Sequence, residues 1–200
     1  WVPPEAVFAP HAETPHALWL DSSHDAHAAA RASYIAARPY QIVSGPPQLA
    51  RRHFEAAEAA LRPGADLWRD LPPTIDAQVP GFRSGLAGFF GYDLARGLHP
   101  VPDNINRIAH DDLGLPGLTL GLYATVLAFD MRARRAFIIA TGLPETNPKA
   151  RRRQAESEIA HWQNCLDTLA DSAKTAALSD APMRAGRAPQ SNFAAQDFRN

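Results

Sequence analysis

Histidines, serines, paired aspartates and one glycine-rich run are the residues of this chain whose types and spacing invite a chemical reading. His11, Glu13 and His16 stand as H-x-E-x-x-H, and His24 and His27 as H-x-x-H. Imidazoles and carboxylates ligate zinc, but zinc sites on helices use HxxxH or HExxH spacing with a third ligand fixed elsewhere. Both groups fall in Pro- and Ala-rich stretches without such a partner, so they read as solvated loop histidines. Ser22, Ser23, Ser33, Ser44 and Ser84 offer hydroxyls, none of them in a GxSxG elbow. Asp111, Asp112 and Asp93 have the carboxylates of an acid–base pair, but nothing in the sequence brings them together. Cys165 is the sole cysteine, which excludes an internal disulfide and a CxxC knuckle. It lies on a predicted core-facing helix and reads as a buried, inert thiol.

The glycine run is "SGLAGFFGYDLARGLHP", residues 84 to 100, with Gly85, Gly88 and Gly91 three apart. A dinucleotide fingerprint needs GxGxxG between a strand and a helix, and a P-loop needs GK[ST]; the run has neither. Glycine is unfavourable inside a strand unless something requires it. The reading that follows is a strand whose glycines let another chain segment or bulky side chains cross closely.

The elements that would position these groups are those of an α+β chain. "HALWLDSS" (16–23) and "ASYIAARPYQIVS" (32–44) read as strands, the second interrupted by Pro39. Pro47 opens a helix that Pro63-Gly64 stops, with Leu49, Phe54, Ala57 and Leu61 near one face. Residues 65–80 are loop-like. "GLTLGLYATVLAFD" (117–130) reads as one long strand and "RAFIIAT" (135–141) as its hairpin partner. A helix over 148–170 is capped by Asn147, starts on Pro148, and carries Ile159, Trp162, Leu166 and Leu169 as its apolar stripe. Residues 171–190 lose periodicity and read as a linker, and "SNFAAQDFRN" (191–200) as the start of a helix that the sequence cuts short.

Bulk composition narrows the function classes. The 200 residues are 46% hydrophobic and 20% charged, which permits a core of ordinary size. A net charge of −1 gives no global field for nucleic acid or an anionic membrane. The clusters at Arg132, Arg134, Arg135 and at Arg151, Arg152, Arg153 read as solvated faces. No apolar run is long enough to span a bilayer and no signal peptide is visible. With the single cysteine, the expected setting is cytoplasmic. The residues alone therefore point to an α+β domain of mostly antiparallel sheet with flanking helices and no obvious catalytic constellation.

Several stretches taken together resemble a known family. "GLAGFFGYDLAR" resembles the GGxxGxxGYDLxR segment of component I of the chorismate-utilising synthases, aminodeoxychorismate synthase and anthranilate synthase. "ARASYIAARP" (30–39) is similar to their GR[YF]S[FI]IGxxP segment through Arg31, Ser33, Ile35, Ala36 and Pro39. "LWLDSS" (18–23) is similar to their LLxS stretch, residues 112–130 to LPxxxxGxYDxxxxxD, and "QSNFAAQDF" to QSNxTxxxYxxxV. The five segments occur in family order and spacing over nearly the whole chain.

The resemblance implies a division into an N-terminal domain over 1–170, a linker over 171–190 and, over 191–200, the start of a truncated chorismate-binding catalytic domain. Catalytic groups and the Mg²⁺ site of the full-length enzyme are then expected beyond this chain, with no cofactor and no metal in this segment. The implied partners are a glutamine amidotransferase and the chain's own C-terminal domain. The run containing Gly85, Gly88, Gly91, Tyr92 and Asp93 becomes a structural scaffold strand entering a turn. The family's effector pocket for tryptophan falls on Ser22, Ala29, Ala30, Arg31 and Ala32, where three alanines stand at positions that often hold aromatic or hydroxyl residues. "FFGYDLARGLHPVPD" leans towards the aminodeoxychorismate enzyme, although Ala95 replaces its common glycine. This segment alone is expected to be inactive towards chorismate. The alternatives are anthranilate synthase component I or a stand-alone amino-acid-binding regulatory domain. A metal-dependent hydrolase built on the histidines predicts stoichiometric zinc in the purified protein.

Overall fold

The computed structural model describes residues 1–22, 31–69, 71–99 and 113–173. Two antiparallel sheets with helices on their outer faces form the α+β architecture expected from the sequence. The first sheet has the order β1-β2-β6-β7, with β1 at Leu18–Leu20, β2 at Ala32–Ala36, β6 at Thr125–Asp130 and β7 at Arg135–Ala140. The second has the order β3-β5-β4, with β3 at Gln41–Gly45, β4 at Gly85–Phe90 and β5 at Leu118–Tyr123.

The two expected long strands are each divided between the sheets. In 32–44 the break is at Arg38-Pro39: Arg38 has φ +54° and proline donates no ladder hydrogen bond, so β2 ends in one sheet and β3 begins in the other. In 117–130 the switch is a single residue, Ala124, between β5 and β6. Both strands are buried along nearly their full length. Strands covered on both faces read as continuous apolar runs, which hides the change of sheet. The hairpin is present, with β6 and β7 in register from Thr125↔Ala140 to Asp130↔Arg135. "HALWLDSS" contributes only three paired residues.

Of the helices, α1 (Pro4–Phe8) and α5 (Pro148–Ala173) cover the first sheet, and α2 (Ala50–Leu61) covers the second. Single-turn helices α3 (Pro73–Asp76) and α4 (Ala95–Leu98) lie on either side of β4 in sequence. Asn147 caps α5 as expected, accepting from the N–H groups of Lys149 and Ala150 at 3.0 and 3.2 Å. Trp162 is buried with Val7, Ile35, Leu127 and Phe129, while Cys165, Leu166 and Leu169 pack beside them.

The face of α2 differs from the expected one. Ala50 and Ala57 meet Val43, Leu118, Leu120 and Leu122, whereas Leu49, Phe54 and Leu61 are exposed at 44%, 36% and 40%. Small side chains bring the helix close to the sheet and turn the larger ones outwards. A third cluster of Ala36, Tyr123 and Val126, with Tyr34, Phe82 and Ala87 against it, joins the two sheets. Gly121 sits under the Tyr123 ring, which a Cβ there would approach to 2.7 Å. The glycine run does form a strand over Gly85–Phe90, and within that strand it requires glycine most strictly at Gly88, where a Cβ would overlap the Thr119 carbonyl oxygen on β5.

Candidate functional site

The residues expected to form an effector pocket lie where β1 ends and β2 begins. Ser22 follows the Leu20↔Tyr34 pair by two residues, and its backbone N–H donates to Ser33 Oγ at 3.3 Å. The Ser33 hydroxyl donates in turn to Asp21 Oδ1 at 2.7 Å, so this fully buried hydroxyl is satisfied on both sides. Arg31 and Ala32 stand at the start of β2; Ala29 and Ala30 lie outside the described residues.

Arg31 is tied to Asp130 at the far end of β6. Its Nε and Nη2 donate to Asp130 Oδ2 at 3.0 and 2.6 Å, while the Arg31 carbonyl accepts from the Met131 N–H at 2.9 Å. Asp130 Oδ1 accepts from the Ala133 N–H at 2.8 Å and so also shapes the β6–β7 turn. The Asp130 side chain is wholly buried; that of Arg31 is 53% exposed. The Arg31 hydrogen bond holds the Asp130 carboxyl below the usual carboxylate range, against the upward push of burial and with help from the Ala133 N–H. The sequence contained this aspartate as the last residue of the 112–130 segment, but nothing in its spacing paired it with Arg31.

Beside this pair is a cleft of about 270 Å³, lined by Arg31, Ala32 and Tyr34 on one side and residues 77–81 on the other. Ser22 is not part of its lining. Tyr34 packs edge-on against Phe82, with ring centroids 5.8 Å apart. The cleft thus offers an aromatic wall and a guanidinium already half-neutralised by Asp130. That combination suits a small ligand with a planar apolar body and a carboxylate. The cleft is slightly smaller than the roughly 300–1,000 Å³ of common ligand pockets.

The remaining candidate residues fall elsewhere. Gly85 and Gly88 lie on β4 and Gly91 follows it; Tyr92 is 99% exposed and Asp93 pairs with Arg96 at 3.0 Å. Asp111, Asp112, His24 and His27 lie outside the described residues. His11 is not a solvated loop residue. It lies in a 3₁₀ turn, half-buried, with its ring 4.7 Å from that of Trp162. Burial, and then the nearby His161 and Arg38, lower its pKa. His16 serves through its backbone, accepting from the Tyr123 hydroxyl at 2.7 Å. Among the described residues no three His, Cys, Asp or Glu side chains converge to hold a metal ion. No helix among them is long and apolar enough to cross a membrane.

These features define a class: a two-sheet α+β domain that carries a small polar-ended cleft and, among its described residues, no convergent catalytic set. No family model matches the chain. It is 31% identical over 144 residues to anthranilate synthase component 1 of Mycolicibacterium smegmatis, covering 66% of this chain and 26% of that protein. It is 32% identical over 89 residues to aminodeoxychorismate synthase component 1 of Escherichia coli (strain K12), covering 44% of this chain and 18% of that protein. To anthranilate synthase alpha subunit 2 of Oryza sativa it is 31% identical over 99 residues, half of this chain and 14% of that protein. The chain is therefore similar to component I of both synthases, and what it matches is about a quarter or less of each relative's length.

Proposed function

We propose that this chain is the non-catalytic N-terminal domain of aminodeoxychorismate synthase component I. The full-length enzyme would aminate chorismate to 4-amino-4-deoxychorismate, the precursor of p-aminobenzoate. The observation that carries the family part of this reading is the similarity to component I of both synthases, at about 30% identity. The choice between them rests on "FFGYDLARGLHPVPD". The specific observation favouring the second reading, anthranilate synthase component I, is that the 144-residue match is to an anthranilate synthase.

In this reading the described residues build a scaffold and an effector site, while the chemistry, its Mg²⁺ and the chorismate pocket belong to a following domain. Ammonia would come from a glutamine amidotransferase partner. The cleft at Arg31, Ala32 and Tyr34 would take tryptophan, its carboxylate on the Arg31 N–H groups that Asp130 leaves over and its indole beside Tyr34.

Assaying the full-length protein with chorismate, ammonia and Mg²⁺ tests the reading. The expected product yields p-aminobenzoate only after a lyase is added. Fluorescent anthranilate without added lyase selects the second reading, and no consumption of chorismate overturns both.

A further inference from the structure

Among the described residues, no strand pairs with the outer edge of β7. The Thr141 N–H donates to the Ala124 carbonyl at 2.8 Å, which makes 124–141 a hydrogen-bonded pair. Antiparallel ladders alternate, so Val126–Ile139, Ala128–Phe137 and Asp130–Arg135 are hydrogen-bonded pairs too. The N–H and C=O groups of Ala136, Ile138 and Ala140 therefore point away from β6. Among the described residues no backbone hydrogen bond from outside the sheet meets them, and β7 is the last strand of its sheet.

A groove of about 560 Å³ runs along this edge and touches every residue from Ala136 to Ala140. Contact with consecutive residues means that it follows the edge, because side chains on one face would touch only alternate positions. One wall is α5, through Ile159, Gln163 and Leu166; the other is Trp68, Leu71, Ile75 and Val79. Arg83 pins the second wall, donating to Asp76 Oδ1 at 2.6 Å and to the Asp76 and Val79 carbonyls at 3.0 and 3.3 Å. A floor of backbone groups that no described residue pairs, between two largely apolar walls, is a slot for one strand.

We propose that this slot receives an extended apolar segment of a partner polypeptide, which adds to the sheet as an antiparallel strand next to β7. Five groove residues correspond to a strand of about 17 Å. Both walls are apolar, so successive side chains of the guest are apolar on both faces. Arg132, Arg134 and Arg135 are exposed at the N-terminal end of β7 and make none of the ion pairs of the described residues. An antiparallel guest places its C-terminal end there, and that end is acidic. A second copy of β7 does not fit this geometry: two edges each recessed between two walls cannot reach one another.

The test uses the whole chain and a capped peptide of alternating valine and isoleucine closed by two C-terminal glutamates, with amide hydrogen exchange as readout. The expected result is that the Ala136, Ile138 and Ala140 amides, fast in the free chain, slow about tenfold or more with saturating peptide. Two C-terminal lysines in place of the glutamates should weaken binding about fivefold or more, and Arg135→Glu should reverse that preference. N-methylating alternate peptide residues, which removes the donors and leaves the side chains, should abolish the protection. Slow exchange of the three amides in the free chain overturns the proposal, and so does protection that rises with protein concentration alone, which would mean self-association. Unchanged exchange at millimolar peptide overturns it as well.

Discussion

Asp130 carries more of the site than its position in the sequence discloses. It is the partner of Arg31, the cap of the Ala133 N–H and a fully buried carboxylate at once. Its folded-state pKa is depressed, so its contribution to stability is complete above the unfolded carboxylate pKa and is lost as pH falls through the lower folded value. Acid unfolding of Asp130→Asn should accordingly show a shallower pH dependence below pH about 4 than the parent. Asp130→Ala should lose about 2 kcal/mol at neutral pH, because hydrogen bonds to a charged group disappear and the Ala133 N–H loses its acceptor; urea unfolding measures it. Arg31→Ala should lose at least as much, since it leaves the wholly buried Asp130 carboxylate without its charged partner. The sequence singles out the arginine as a candidate through its segment. It does not single out the aspartate, because pairing across 99 residues of separation is a property of the sheet register.

Elements were readable where one local signal decided them. Asn147-Pro148 marks the start of α5 through a side-chain cap and a fixed φ, and Trp162, Leu166 and Leu169 of the expected apolar stripe face the core, whereas Ile159 lines the groove along β7. Asn147→Ala should lower stability by about 1 kcal/mol, read as a drop in thermal midpoint. Signals failed where two answers share one pattern. An apolar run buried on both faces looks the same whether it stays in one sheet or changes sheets at Ala124. On α2 the larger apolar residues set the expected face, but close packing selected Ala50 and Ala57 instead. His11 illustrates the same gap, since only the docking of the N-terminal turn on Trp162 buries it. Its folded pKa is lowered, so that docking is at full strength above pH about 6.5 and weakens as pH falls. Proton resonances of the Trp162 indole should shift over that range in the parent, and His11→Phe should reduce the shift, the His161 ring also lying 5.7 Å from that of Trp162.

At the scale of the molecule, the two sheets meet near the cleft, which the proposed function makes a tryptophan site. Arg31, Ala32 and Tyr34 supply one side and residues 77–81 the other, so an occupant would bridge β2 to a segment that is otherwise mostly turn and loop. A ligand that binds only the folded state raises stability by about 2.7 kcal/mol at a hundred times its Kd. Tryptophan added to the full-length protein should therefore raise the thermal midpoint in a concentration-dependent way. Arg31→Ala should abolish the increment measured against its own baseline. Asp130→Asn supplies the decisive comparison, because it weakens the same hydrogen bonds but leaves the guanidinium in place. If the cleft binds the carboxylate, this variant starts from a lower midpoint and keeps a ligand-dependent rise at least as large as the parent's, its arginine being less neutralised. An equal loss of the rise in both variants would mean that the Arg31–Asp130 pair only braces the sheet. An unchanged rise in Arg31→Ala would place the tryptophan site elsewhere in the protein.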